Sequence, residues 1–139
     1  MNQISFSLDG ERPYLWGQII EKDVIIDRGS RYSYVIFQIG YKEDVKTGIA
    51  KLKKDLFFAK ATHNSYAWRL QTETGIVDGK NDDGETGAGM CILREIQRAE
   101  RVNLCVVVTR YFWGIQLQAD RFKHVIDTTK KALAKIKSS

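Results

Sequence analysis

Hydrophobic and polar positions divide the chain into short periodic blocks. In "RYSYVIFQIG", Val35, Phe37 and Ile39 alternate with Tyr34, Ile36 and Gln38, the period-two pattern of a strand. Ahead of it, "YLWGQII" (14–20) and "VII" (24–26) read as two short strands joined by the polar "EKD" in a hairpin. From Glu43 the period lengthens. Val45, Ile49, Leu52 and Leu56 recur at steps of four, three and four, which places them on one face of a helix that carries Lys46, Lys53 and Lys54 on the other. "HNSYAWRL" alternates again, with Tyr66, Trp68 and Leu70 inward and His63, Ser65, Ala67 and Arg69 facing away from the core. Residues 72–84 read as a loop. A helix follows through Ala88, Cys91, Ile92, Ile96 and Ala99; then "LCVVVTRYF" forms the most apolar run, a central strand. Phe122, Ile126, Thr129, Leu133 and Ile136 mark a last amphipathic helix that ends near Lys137. The order β-β-β-α-β-α-β-α predicts an α+β two-layer sandwich, a mixed sheet of four or more strands with helices on one face.

The 139 residues suit one domain, with 1–17 as an N-terminal lead; a single proline and the lack of any Ser/Gly/Pro-rich linker support that reading. No apolar run reaches the roughly 20 residues that a membrane-spanning helix needs, so no membrane association and a cytoplasmic location are expected. Cys91 and Cys105 sit in apolar surroundings, as reduced buried thiols do. Lys and Arg number 22 against 17 Asp and Glu, a net charge of +5, which favours an acidic or phosphate-bearing partner without requiring nucleic acid.

The densest polar stretch is "KNDDGETGAG" (80–89). Asp83 can cap the following helix, with Glu85 and Thr86 in its first turn, where acidic groups meet unpaired amides and the positive dipole end. A calcium loop is excluded, because Gly84 in the sixth position would put Gly79 and Met90 where carboxylates must lie. Adjacent acids diverge, and no second ligand cluster accompanies them, so neither a metal nor a cofactor is assigned. Ser65 with His63 and Cys91 with His124 lack a nucleophile motif, so no catalytic residue is assigned either. Arg110 ends the apolar strand, where a charge needs a partner; the acids at 82–85 are the candidates. Lys123, Lys130, Lys131 and Lys135 on the last helix, with Tyr32 and Tyr34 on the sheet, are the candidate nucleic-acid contacts.

The ordered set "ATHNSYAWRL", "NDDGETGAG" and "VVVTRYFWGIQLQADRFKH" resembles the IMPACT family and its bacterial YigZ-type relatives, and "DRGSRY" resembles that family's D-R-K-S-x-F. The resemblance implies a fold like the second domain of ribosomal protein S5. It also implies a part in translational control, since eukaryotic members oppose activation of the starvation-response kinase that phosphorylates an initiation factor. The N-terminal RWD domain and the C-terminal ferredoxin-like domain of longer relatives find no counterpart in the motif order. Two positions depart from the pattern: Trp113 before Gly114, and Gln118 before Ala119, stand where glycines are usual.

The leading expectation is therefore a non-enzymatic regulatory domain that engages a protein partner. Its binding surface is drawn from His63, Asn64, Asp82, Asp83, Gly84, Glu85, Arg110, Trp113, Gly114, Asp120 and Arg121. The alternatives are an RNA or ribosome binder that uses the basic helix and an open sheet face, and a small-molecule enzyme built around Asp82, Asp83, Glu85 and Arg110.

Overall fold

A computed structural model describes residues 17–112 and 120–136. Five strands and four helices follow one another: β1 (Gln18–Asp27), β2 (Ser30–Gln38), α1 (Glu43–Leu52), α2 (Leu56–Ala59), β3 (His63–Thr72), β4 (Gly75–Asn81), α3 (Ala88–Arg98), β5 (Leu104–Phe112) and α4 (Asp120–Lys135). The strands form one antiparallel sheet in the order β1-β2-β5-β3-β4, with the apolar β5 at its centre as its composition required.

Alternation along β2 and β5 sends side chains to both faces. Tyr32, Tyr34 and Ile36, with Leu104, Val106 and Val108, point to one face, where Ile92 and Ile96 of α3 and Val125 and Leu133 of α4 close the main core. Ile92 and Ile96 are wholly buried, each contributing about 1.5–3 kcal/mol by removal from water. The two long helices thus pack on one face, which bears out the α+β reading, while the sheet expected to be mixed is antiparallel throughout, because every neighbouring pair of strands runs in opposite directions. The intervening residues Val35, Phe37, Cys105 and Val107 point the other way and meet a smaller layer from α1 and α2, including Ile49 and Phe58.

Four local expectations are corrected. The two strands expected over 14–20 and 24–26 are one strand, β1, interrupted by a register shift between Glu21 and Ile25. Asp23 takes φ 55° there, and its amide donates to Ser33 Oγ at 2.9 Å. Residues 14–16 lie outside the described residues. The stretch read as a loop over 72–84 contains β4, whose half-exposed "GIVDGKN" lacks alternation because an edge strand buries little of either face. Leu56 does not extend the stripe of α1: the helix ends at Leu52, Asp55 accepts from the Phe57 amide to start α2, and Leu56 is left exposed. Finally, Ser65 and Ala67 do not face away from the core. Both are buried, Ala67 under α3, because β3 is covered on its two faces as β5 is.

Candidate functional site

The antiparallel register brings the start of β2, the start of β3 and the end of β5 to one end of the sheet, pairing Ser30 with Phe112, Tyr32 with Arg110, and His63 with Arg110. The N-termini of α3 and α4 arrive at the same end, so sequence stretches far apart in the chain converge there.

Arg110 is buried, 6% exposed, and its predicted acidic partner is Glu85, itself 4% exposed. Arg110 Nη1 donates to both Glu85 oxygens, at 3.0 and 2.8 Å, while Nε and Nη2 donate to Ser30 Oγ at 3.3 and 3.2 Å. The guanidinium carbon lies 4.9 Å from the Phe112 ring centroid and 5.7 Å from that of Tyr32, so two aromatic rings hold the cation where it is. Arg121 approaches from α4, its Nε 3.9 Å from Glu85 Oε2, and stays partly exposed. Burial pushes the Tyr32 hydroxyl up to about 12.

The loop before α3 is ordered by its acids, each with a different partner. Asp82, rather than Asp83, satisfies the helix start: its carboxylate accepts from the amides of Gly87 at 3.0 Å and Gly89 at 2.8 Å. Those two amide bonds hold the Asp82 carboxyl below its ordinary range, against the opposing effect of burial. The capping position is Gly87 at φ 92°, a left-handed conformation that excludes a side chain there without strain. The expected Asp83 cap is corrected accordingly. Asp83 instead accepts from the Asn64 amide at 2.7 Å, which ties the loop to β3. His63 Nδ1 donates to the Asp83 carbonyl at 2.8 Å, and Ser65 Oγ donates to the Asp82 carbonyl at 2.8 Å. Asn64 is buried: its Nδ2 donates to the Phe58 carbonyl, and its Oδ1 accepts from Thr109 Oγ1 at 2.8 Å. Gly84 sits beside the His63 ring.

A second cluster adjoins the first. His124 Nε2 meets Asp27 Oδ2 at 2.8 Å, and Arg28 bonds both Asp27 and Asp120. The Arg28 guanidinium, then His124, holds the Asp27 carboxyl down at about 2. The Tyr32 and His124 rings pack at 5.3 Å between centroids. Sequence reasoning chose Asp120 but not Asp27, Arg28, Ser30 or His124. The signal available was "DRGSRY", a run of charge and hydroxyl directly ahead of an apolar strand.

Most of the expected surface residues therefore meet at this end: His63, Asn64, Asp82, Asp83, Gly84, Glu85, Arg110 and Arg121, with Asp120 in the adjoining cluster. Trp113 and Gly114 lie outside the described residues, as does Gln118. Three acids that could have shared a metal ion face three separate partners, and among the described residues no group of three or more His, Cys, Asp or Glu side chains could hold one. The candidate nucleic-acid contacts Lys123, Lys130, Lys131 and Lys135 are exposed on α4, Lys123 beside the second cluster and the others further along the helix. Tyr32 and Tyr34 are fully buried beneath α3 and α4, which removes the open stacking face that the RNA reading required. Among the described residues no helix is long and apolar enough to cross a membrane.

Comparison with known proteins adds an independent line. The chain is similar to the protein IMPACT homolog of Caenorhabditis elegans, 35% identical over 119 residues that cover 81% of this chain and 45% of that protein. It is 36% identical to protein IMPACT of Mus musculus over 111 residues, covering 78% of this chain and 35% of the relative. The chain thus spans less than half the length of either. A solved structure of the two-domain translational regulator Yih1 matches with TM-score 0.60 and 29% identity over 97% of this chain and 53% of that one. A hypothetical protein of known structure shares the fold at TM-score 0.73 and 22% identity, over 86% of this chain and 58% of its own. The family model described as the Impact N-terminal domain matches residues 28–133, a span that contains Arg28, Ser30, Glu85, Arg110, Asp120, Arg121 and His124. The chain belongs to the Impact N-terminal domain family.

Proposed function

We propose that the chain is a regulatory interaction domain in translational control, acting by binding a protein partner in the amino-acid starvation response rather than by turning over a small molecule. The observation that carries this reading is the internal commitment of the polar cluster. Glu85 is bound by Arg110, Asp82 by two backbone amides, Asp83 by the Asn64 amide, and the hydroxyl and imidazole of Ser65 and His63 by loop carbonyls. A general base or nucleophile must be within reach of a reacting group and carry a proton it can exchange; here each candidate instead braces the loop. What the bracing presents outward is a rigid rim with exposed Asp83, Gly84, Thr86 and Asp120 and the partly exposed Arg121. Pre-organisation of that kind lowers the ordering cost of association. Likeness to the IMPACT proteins, and to a structure described as a translational regulator, supports the setting.

The test is expression of the chain in amino-acid-starved cells, with phosphorylation of the initiation factor as readout. Phosphorylation falls relative to cells without the chain, and an Asp83→Lys, Arg121→Glu variant that folds normally loses the effect. Unchanged phosphorylation with the wild-type chain rejects the proposal, and substrate turnover by the purified chain would replace it with an enzymatic one.

A further inference from the structure

On the side of the molecule where β1 forms the sheet edge, a groove of about 580 Å³ runs between that strand and α4. Its strand wall is Val24, Ile25 and Ile26; its helix wall is Lys123, His124, Asp127, Lys130 and Lys131, residues that share one side of α4 by their spacing. The charges are unbalanced. Lys123 is held by Asp127 at 2.9 Å, and Lys135 nearby by Glu21 at 3.3 Å. Among the described residues neither Lys130 nor Lys131 has a carboxylate within 4.0 Å, so the groove carries two positive charges in excess of its acids. Val24 and Ile25, half-buried, pack toward the main core beneath α4, whereas Ile26 borders the groove only at its margin: it pairs with Arg31, so its 61% exposed side chain points to the other face of the sheet.

We infer that this groove docks an extended acidic segment of a partner protein, in which apolar side chains lie along Val24 and Ile25 and carboxylates pair with Lys130 and Lys131. The inference rests on the reading of the chain as an interaction domain and names the chemistry of the partner. Two features favour an acidic peptide over RNA: the lining has an aliphatic wall, and none of its residues is Phe, Tyr or Trp on which a base could stack. The one aromatic ring in the lining, the His124 imidazole, is mostly buried, with its Nε2 held by Asp27 and its ring packed against Tyr32. An edge strand such as β1 is also the kind of wall along which an extended peptide can lie.

Fluorescence polarisation with three labelled probes tests the proposal on the full chain: a peptide alternating glutamate and valine, one alternating lysine and valine, and oligouridine RNA. The acidic peptide binds, its affinity falls with added salt, and Lys130→Glu with Lys131→Glu weakens it at least about tenfold. Val24→Ser weakens it without changing the salt slope, and Lys46→Glu with Lys51→Glu on α1 leaves it unchanged. Equal binding of the lysine peptide, preference for RNA, or no binding by any probe overturns the proposal. The starvation assay separates the two readings: if Lys130→Glu with Lys131→Glu folds and still lowers phosphorylation, the groove is not the functional surface and the regulatory role stands.

Discussion

Replacing Glu85 by alanine leaves Arg110 as a buried cation without its counter-ion. The guanidinium is 6% exposed and lies between the Phe112 and Tyr32 rings, so it cannot swing out to water; only the hydroxyl of Ser30 remains to it. Arg121, 34% exposed at its side chain, escapes to solvent at little cost. Breaking a buried pair from one side costs about 3–5 kcal/mol, a large share of the roughly 5–15 kcal/mol that holds a domain of this kind folded. In thermal denaturation followed by circular dichroism, the midpoint of Glu85→Ala falls by about 10–20 °C. The double variant Glu85→Leu, Arg110→Met removes both charges and restores stability to within about 2 kcal/mol of wild type, since the only group newly left without a partner is the Ser30 hydroxyl. A double-mutant cycle by urea denaturation reads the coupling directly. If Glu85→Ala costs less than about 1 kcal/mol, or if the double variant is as unstable as the two single losses added together, the pair is not a desolvated brace and the account of the cluster is wrong.

Three further outcomes follow from the same structure. Asp27 has a folded pKa depressed from 3.8 to about 2, so its clasp on Arg28 and His124 is complete above the ordinary value and dissolves only as pH falls through about 2; carboxyl carbon NMR of wild type and Arg28→Ala shows the midpoint rising toward 3.8 in the variant, and a wild-type midpoint near 3.8 contradicts the clasp. Burial raises the Cys105 thiol strongly and the half-buried Cys91 less, so a disulfide reagent modifies Cys91 in the folded protein and Cys105 only on unfolding, as mass spectrometry of trapped samples would record. A methyl group added at Gly79 would lie 2.2 Å from the Trp68 indole, so Gly79→Ala costs about 1–3 kcal/mol in denaturant titration, although β4 is an edge strand where a glycine would ordinarily be replaceable.

How much of this was legible in the sequence depends on burial. β5 and the buried stripes of α3 and α4 were readable because a two-sided apolar run and a helical stripe are direct images of what lies against them. β4 was not, since "GIVDGKN" buries too little of either face to show a period. The faces of β3 were misread for the opposite reason: Ala67 and Ser65 are small or polar, and small residues mark a close helix contact as readily as a solvent face. In the candidate site, the Arg110 pairing was inferable from a charge at the end of an apolar strand, but the choice of Glu85 over its neighbours was not. Three successive carboxylates within four residues are equivalent in a string; the turn geometry around Gly84 and Gly87 sends each to a different partner. His124 and Asp27, 97 positions apart, needed the helix docking that no local pattern records.

The strand order has a consequence for how the domain is made. β1 with β2 and β3 with β4 are local hairpins, but neither hairpin pairs with the other; both pair only with β5. During synthesis, therefore, the first hundred residues can yield two separate ribbons, each with an open backbone edge where β5 will pair, even though α1–α3 can already cover part of their apolar faces. The sheet becomes continuous only when residues 104–112 are inserted between them, and its main core is covered only when α4 follows. Completion of the sheet is in that sense a late event keyed to one strand, and a chain stopped before Leu104 leaves its two hairpins unjoined.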